Sequence, residues 1–292
     1  MLEICVDGRY LTGRDAYPHM FADGDFPMAR QRLGNLSLEA VQHAQLLGLH
    51  DVSKLSARLY FYNRLPATPR WKRLLGDAER VKSALGCGEG TAVEGILRRN
   101  FSEVPQGTSH QGWYMWRSRR AVSDRSPRKV SYKLYISPHM TCLGEAFAAT
   151  VEIAASLRAP VFKVGRDLYG LLRPDKLICY FSSQEKLLEA AAHIEKETAG
   201  LTSHGVPFTA PFGESGLVSW GVDPPLGERA LPWHEDSSWR LWVTNQLAIG
   251  LVSARDQKNV EPWRFALDRL QLKGVDTMTW EPRDCLWQDE IA

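Results

Sequence analysis

The chain has 292 residues, 44% of them hydrophobic, and its 36 Lys and Arg residues against 34 Asp and Glu give a formal net charge of +2. A chain of this length and apolar content can bury a full core, and the small net charge argues against a strongly basic nucleic-acid-binding domain. No apolar run is long enough to span a bilayer and the N-terminus lacks a signal-peptide pattern, so we expect a cytoplasmic protein with no membrane partner.

The first 125 residues carry helical patterns at 37–50 and 71–85 and a possible strand at 58–62. The glycine-rich segment 86–90 lacks the Lys-Ser/Thr ending of a phosphate-binding loop, so we interpret it as a helix exit and a turn. This part shows no signature of chemistry. We expect residues 1–125 to form an N-terminal region that packs on a core of residues 126–292, in one compact unit, and to contribute to peptide binding.

A basic stretch runs from Arg98 to Lys133, with nine Lys or Arg residues against two acidic ones. Trp113, Tyr114 and Trp116 lie within it. Cations mixed with stacking rings bind phosphates, acidic peptides or nucleic acids, and the alternative is a solvated loop. The stretch lacks the signature of a nucleic-acid-binding fold, so we expect no nucleic-acid partner.

The second half of the chain has a more regular pattern, in which strands alternate with helices. Ser182 and Glu185 form a capping box at the start of one helix, which ends before Gly200, and segment 203–225 is predicted as a loop. This alternation predicts an α/β or α+β core. Of the two we expect the α+β class, with a mixed β-sheet core and flanking helices. The other predicted elements are strands at 130–137, 160–165 and 176–181, and helices at 142–158, 238–254 and 262–273.

Two of the predicted strands carry a lysine within an apolar pattern, Lys133 in the first and Lys163 in the second. Alternate residues of a strand share a face, so Lys133 and Tyr135 point the same way, about 7 Å apart. Apolar neighbours or other cations lower the pKa of a lysine, and the neutral amine that results is a competent general base. We therefore hypothesise an active site on this face; the alternative is a strand that exposes its lysine to water.

The ordered series formed by Lys133 to Ser137, Lys163, and Arg173 to Phe181 resembles the phosphothreonine lyases of bacterial effectors and the lyase domains of class III lanthipeptide synthetases. Together with segments 204–216, 222–224 and 238–242, it resembles the type III effector HopA-like family more closely. Members of that family occur in class V lanthipeptide and thioamitide gene clusters, paired with a separate kinase. The resemblance covers the chain from residue 131 to its end and implies a phosphothreonine-lyase-like fold.

By this resemblance the reaction is elimination of phosphate from phosphoserine or phosphothreonine in a ribosomal precursor peptide, which leaves dehydroalanine or dehydrobutyrine. A separate Ser/Thr peptide kinase would supply the phosphopeptide. No cofactor and no metal are implied, and neither the five scattered cysteines nor the eight histidines have metal-ligand spacing. The alternative function is a catalytically inert module that binds the precursor peptide, through its leader, or the partner kinase.

The resemblance also implies roles for particular residues. Lys163 would remove the α-proton and Lys133 would stabilise the enolate-like charge on the substrate carbonyl. Arg173 would bind the phosphate, and Arg166 is a further cation that could bind phosphate and favour the neutral amine of the base. For Arg173 the alternative is a surface arginine in a turn beside Asp175.

Two positions depart from the lyase pattern. Tyr135 stands where the lyases have a histidine that acts as the acid for the leaving group, and one arginine of the pattern is missing. His139 and His204 are alternative acids, unless they are ordinary polar loop residues. Arg240 and Arg229 are the candidates for the missing cation.

Overall fold

The computed structural model describes residues 3–6, 8–12, 32–105, 112–120, 131–224, 229–234, 237–258 and 260–283. The strands are β1 (Glu3–Val6), β2 (Arg9–Thr12), β3 (Phe101–Glu103), β4 (Trp113–Ser118), β5 (Tyr132–Ile136), β6 (Val161–Gly165), β7 (Leu177–Phe181), β8 (Ala210–Phe212) and β9 (Val218–Val222). The helices are α1 (Arg32–Leu46), α2 (Val52–Tyr60), α3 (Pro69–Leu74), α4 (Ala78–Ala84), α5 (Ala92–Asn100), α6 (Leu143–Ser156), α7 (Leu168–Leu171), α8 (Gln184–Glu197), α9 (Trp239–Ala254) and α10 (Pro262–Leu272).

Seven of these strands form one sheet in the order β3-β4-β6-β7-β5-β9-β8, and β1 pairs with β2 in a separate hairpin. Helices flank the sheet, so the predicted α+β class is confirmed. The prediction of a mixed sheet is corrected, because every described pairing is antiparallel. The connection β5-α6-β6 does produce two strands that run in the same direction, but β7 lies between them and is antiparallel to both.

One face of the sheet packs against α6 and α8 in the main hydrophobic cluster. Leu134 and Ile136 of β5 belong to this cluster, as do Phe162 and Val164 of β6. Side chains alternate along a strand, so the residues between them point to the opposite face. The prediction that Lys133 and Tyr135 point to the same face of the strand is therefore confirmed.

The opposite face is covered near β8 and β9 by a second hydrophobic cluster, formed mainly by α1, α2, α9 and α10. Trp239 and Trp242 of α9 stack there with their ring centroids 6.0 Å apart. The remaining part of this face, over β5, β6 and β7, carries Lys133, Lys163 and Tyr180. Strands β3 and β4, from the predicted N-terminal region, belong to the same sheet, and the division at residue 125 stays a prediction.

Three predicted elements are wrong in detail. The segment predicted as a strand at 58–62 belongs mostly to helix α2, in which Leu55 and Leu59 are buried one turn apart and Asp51 accepts a hydrogen bond from the Lys54 backbone N–H. The predicted loop 203–225 contains β8 and β9, and all five residues of β9 are buried. The residue that caps α8 is Ser183, one position after the expected serine.

Gly221 of β9 allows Trp239 to lie directly on the sheet. A Cβ atom at this position would be 2.3 Å from Cδ1 of Trp239, which is fully buried. We expect Gly221→Ala to lower the free energy of unfolding by about 1–3 kcal/mol, because the indole has no free space into which to move. Urea unfolding measures the change. Gly88→Ala is the control, since its Cβ would meet open space, and equal loss in both variants would contradict this packing.

Candidate functional site

The Lys133 ammonium on β5 is held by a buried carboxylate. Its Nζ lies 2.8 Å from Oδ2 of Asp223, and the two side chains are 9% and 7% exposed. Oδ1 of Asp223 accepts a hydrogen bond of 2.9 Å from the backbone N–H of Trp239, the first residue of α9. Asp223 therefore fixes Lys133 relative to the start of this helix, where a negative charge is also favoured by the helix dipole.

Lys163 on β6 is half-buried and lies among aromatic rings. Its Nζ is 4.3 Å from the ring centroid of Trp113 and 5.5 Å from that of Tyr180. The Nζ of Lys133 lies 5.2 Å from the same Tyr180 ring. The two lysines thus share one phenol ring, and among the described residues no carboxylate lies within ion-pair distance of Lys163.

Arg173 follows α7 and forms a two-pronged ion pair with Asp175. Its Nε donates to Oδ1 and its Nη2 to Oδ2, both at 2.8 Å, and Nη2 also donates to the hydroxyl of Tyr60 at 2.9 Å. The guanidinium carbon lies 5.1 Å from the Trp113 ring centroid, so Trp113 contacts both Arg173 and Lys163. Among the described residues Nη1 of Arg173 has no hydrogen-bond partner, and the side chain is 20% exposed.

Asp175 is the acidic centre of this cluster. Burial by itself raises the pKa of its carboxyl, but the Arg173 and Arg240 guanidinium groups outweigh that effect and hold the pKa well below its ordinary value. For Arg173, burial opposes the charged form, but Asp175 and the Tyr60 hydroxyl outweigh it and raise the pKa above its usual range. The carboxylate and the guanidinium therefore stay ionised together.

Arg240 of α9 is the most deeply buried cation of this cluster. Its side chain is 1% exposed, its Nε donates to the Pro207 carbonyl and its Nη2 to the Tyr60 carbonyl. Nη1 lies 2.9 Å from Oδ2 of Asp175, an ion pair whose angle departs from that of a hydrogen bond. This geometry gives Arg240 a structural task, which is to neutralise Asp175 and to hold the end of α2.

Tyr135 lies on the same face as Lys133 but beneath the surface, only 2% exposed. Burial, reinforced by the negative charge of Asp223, raises the pKa of its phenol well above the ordinary value. Burial also raises the pKa of Tyr180, and the positive charge of Lys163 opposes this rise. Both phenols are therefore protonated at neutral pH, and each can act as a proton donor.

The structure brings together five of the nine predicted site residues, and the four others lie elsewhere. The five are Lys133, Tyr135, Lys163, Arg173 and Arg240. Arg166 is exposed, and its guanidinium carbon lies 5.8 Å from the ring of Tyr114, which belongs to the core on the other face of the sheet. Arg229 donates from Nε to the Pro224 carbonyl at 2.7 Å.

His139 lies at the exit of β5, where its Nδ1 is 2.9 Å from the Thr141 hydroxyl and caps a short 3₁₀ turn. His204 is buried and paired with Lys176, a fully buried lysine that sequence reasoning did not single out. Its Nε2–H donates to the Asn63 carbonyl at 2.6 Å, so Nδ1 is the acceptor for the Lys176 ammonium at 2.7 Å. Neither imidazole contacts Lys133 or Lys163 among the described residues.

The Lys176–His204 pair gives the stability of the protein a pH dependence. Burial lowers the pKa of Lys176 from 10.5 to about 7, and burial together with Lys176 lowers that of His204 from 6.5 to about 3. The unfolded chain therefore binds more protons than the folded protein between pH 3 and 6.5 at the histidine, and between pH 7 and 10.5 at the lysine. The free energy of unfolding rises with pH through both windows.

As the pH falls from 6.5 toward 3, we expect the free energy of unfolding to decrease less in His204→Gln than in the wild type. The free energy of unfolding of the wild type should rise between pH 7 and 10, and Lys176→Met should lack this rise. Urea unfolding at a series of pH values measures both effects. His193→Gln, on the exposed side of α8, is the control and should leave the profile unchanged; an identical profile for His204→Gln and wild type would contradict the assignment.

The predicted basic and aromatic stretch divides between the two faces of the sheet. Tyr114 and Trp116 are buried in the main cluster, so the expectation that their rings form a stacking surface is corrected. Their positions on β4 alternate with those of Trp113 and Met115, and only Trp113 contacts the cationic cluster. The predicted cations Arg125, Arg128 and Lys129 lie outside the described residues.

Sequence reasoning missed the aromatic and acidic partners of the cations. Tyr180 could have been found, because it alternates with Cys179 and Phe181 on a predicted strand and must share a face with the neighbouring lysines. Tyr60 gave no such signal, since its segment was taken as a strand. Asp223 was noted as part of a motif, but its contact with Lys133 joins residues 90 positions apart.

Within the described ranges, no three His, Cys, Asp or Glu side chains approach one another closely enough to hold a metal ion. Among these same residues, the helices are too short or too polar to cross a bilayer. The fold and the cluster thus define an α+β protein with a partly buried cationic face.

Comparison with known proteins gives no family model and no curated protein that matches the chain. Among solved structures, an effector protein from Pseudomonas syringae pv. syringae strain 61 aligns with 87% of this chain and 99% of its own, at 13% identity and a TM-score of 0.48. An effector protein from Pseudomonas syringae pv. tomato strain DC3000 aligns with 88% of this chain and 99% of its own, at 12% identity and a TM-score of 0.49. The type III effector and phosphothreonine lyase OspF from Shigella flexneri aligns with 58% of this chain and 90% of its own, at 13% identity and a TM-score of 0.34.

Proposed function

We propose that this protein is a lyase that eliminates phosphate from phosphoserine or phosphothreonine in a ribosomal precursor peptide, after a separate kinase has phosphorylated it. The observation that carries the proposal is the convergence of Lys133, Lys163 and Arg173 around two shared rings, those of Trp113 and Tyr180. Lys133 and Arg173 are each paired with a carboxylate, whereas Lys163 has none among the described residues.

Lys163 is the general base of the proposed reaction. Its Nζ, as the neutral amine, takes the proton from Cα of the phosphorylated residue. The electron pair of that C–H bond forms the Cα=Cβ double bond, and the Cβ–O bond breaks so that phosphate leaves with its electron pair. The products are dehydroalanine or dehydrobutyrine in the peptide, inorganic phosphate, and a protonated lysine that returns its proton to water.

Lys133 stabilises the charge that develops on the carbonyl oxygen of the substrate while Cα loses its proton. Its ammonium is fixed by Asp223 at the start of α9, so it does not need to reorganise during the reaction. Asp223 is therefore a positioning residue, because it acts through Lys133.

Arg173 binds the phosphate. Its fork is held in place by Asp175 and Tyr60, and its Nη1, which has no partner among the described residues, is available to a phosphate oxygen. A guanidinium that is already oriented loses little conformational entropy when the dianion binds. We propose that the phosphate lies between Arg173 and the two lysines, and that the charge of Lys133 also attracts the dianion.

The leaving phosphate can receive a proton from one of the two phenols. Tyr135 stands where the lyases that the sequence resembles have their acid, but Tyr180 is less buried and its ring contacts both lysines. We therefore expect Tyr180→Phe to lower kcat by about 10²-fold, at the low end for a general acid because phosphate is a tolerable leaving group. Tyr135→Phe is the matched control and should lower kcat less. A larger loss in Tyr135→Phe than in Tyr180→Phe would assign the acid to Tyr135. Steady-state rates of dehydrated-peptide formation measure both.

The second candidate is a binding module without catalysis. It is favoured by the internal pairing of Lys133 with Asp223 and of Arg173 with Asp175, which satisfies two cations within the protein. Mass spectrometry of a phosphoserine or phosphothreonine peptide incubated with the protein separates the two. Loss of the mass of phosphoric acid supports the lyase, and an unchanged peptide that binds supports the module.

A further inference from the structure

A groove of about 500 Å³ lies beside the cationic face, between α2 and the segment that leads into α9. Ala57, Tyr60 and Phe61 form one side, and Trp233 and Leu241 form the other. Most of its lining surface is apolar, and no Asp or Glu of the described residues takes part. The polar residues of the lining are Ser53, Lys54, His234 and Ser238. The groove is therefore suited to an uncharged, apolar side chain.

Two large aromatic side chains border this groove in an unusually exposed state. Phe61 is 44% and Trp233 is 39% exposed. Aromatic surface that faces water within one concave patch is typical of a binding site, since scattered single residues do not create such a patch. Burial of an apolar side chain against these rings would release water from both partners.

The groove is continuous with the cationic face through the rings of Tyr60 and Phe61. The guanidinium carbon of Arg173 lies 5.5 Å from the Tyr60 ring centroid and 5.9 Å from that of Phe61. Both rings also line the groove, and their own centroids are 5.4 Å apart. Tyr60 and Phe61 thus contact the proposed phosphate ligand and also line the groove.

We infer that the groove binds an apolar or aromatic side chain of the substrate peptide, about two residues from the phosphorylated residue. This inference rests on the proposed function, which places the phosphorylated residue at Arg173 and Lys163. An extended peptide advances about 3.3–3.6 Å per residue, so two residues span about 7 Å, enough to cross the edge of one ring. The groove is therefore a specificity-determining subsite, and its occupant is the flanking part of the substrate.

The test uses phosphopeptides that are identical except for Phe or Asp two positions before or after the phosphoserine. Binding is measured by fluorescence polarisation and elimination by mass spectrometry, with the wild-type protein and three variants. Ala57→Trp fills the groove and Trp233→Ala removes one wall. Arg58→Trp is the matched control, because Arg58 is exposed on the same helix but does not line the groove.

For substitution at one of the two positions, we expect the wild type to bind the Phe peptide about tenfold more tightly than the Asp peptide. Burial of one apolar side chain accounts for a difference of this size. Ala57→Trp and Trp233→Ala should reduce this preference, and Arg58→Trp should retain it. Equal affinity for the two peptides, or an equal change in all three variants, would overturn the inference. The inference would also be overturned if the protein formed a dimer that Ala57→Trp dissociates while the peptide preference stays unchanged, because the groove would then bind a second copy of the chain.

The outcomes for the subsite and for the lyase are distinguishable. Elimination from both peptides at equal efficiency would retain the lyase and reject the subsite. A preference in binding with no elimination from any peptide would reject the lyase and support the groove as a side-chain subsite of a peptide-binding module. The binding measurement therefore decides the inference whether or not catalysis is observed.

Discussion

Lys163→Ala is expected to lower the rate of phosphate elimination by about 10²–10⁴-fold, the range that a general base contributes. The affinity for the phosphopeptide should change little by comparison, because Arg173 and Lys133 remain in place. The physical reason is that alanine removes the group that accepts the α-proton, while the other two cations still attract the phosphate. Rates come from mass spectrometry of the dehydrated peptide and affinities from fluorescence polarisation.

Lys163→Arg separates the charge from the proton transfer. Arginine keeps a cation between Trp113 and Tyr180, but it does not deprotonate in proteins, so elimination should stay as low as in the alanine variant. Lys186→Ala, at an exposed position of α8, is the control for loss of a lysine elsewhere and should have wild-type activity. Substantial elimination by Lys163→Arg would contradict the assignment of the base.

Asp175→Ala should have the largest effect on stability, a fall of about 3–5 kcal/mol in the free energy of unfolding. The substitution leaves the guanidinium of Arg240 buried and without its ionic partner, and it removes the ion pair that holds the guanidinium of Arg173. The measurement is urea unfolding at neutral pH. Asp51→Ala is the control; this exposed aspartate caps α2, and its removal should lower the stability much less than the removal of Asp175 does.

The same carboxylate predicts a pH dependence. The pKa of Asp175 is lowered in the folded protein, so its contribution to stability is present above about pH 4, the ordinary pKa of an aspartate, and is lost as the pH falls. The stability difference between wild type and Asp175→Ala should therefore narrow in acid. If instead the two proteins are equally stable at neutral pH, the buried ion pairs do not hold this part of the fold.

Local sequence patterns sufficed for the parts of the site that lie on single strands. The alternation in β5 placed Lys133 and Tyr135 on one face, and the two C-terminal helices followed from their apolar periodicity. These features depend on residues only a few positions apart, which is the range over which strand and helix periodicity acts.

The partners of the cations depend on contacts between distant segments, and periodicity carries no information about them. The Tyr60 hydroxyl reaches Arg173 across 113 positions, from a helix that was predicted as a strand. The insertion of β7 between β5 and β6 brings Tyr180 between the two lysines, and a simple βαβ unit would not have placed it there. Buried Lys176 is paired with His204, which lies 28 positions further along the chain.

The most direct test of the proposed elimination uses a phosphoserine peptide that carries deuterium at Cα. Incubation with the wild-type protein should yield a product that has lost phosphoric acid together with the deuterium, and Lys163→Ala should yield none. A product that has lost the phosphate but regained a hydroxyl and kept the deuterium would mean hydrolysis, and it would contradict a lyase with Lys163 as the base.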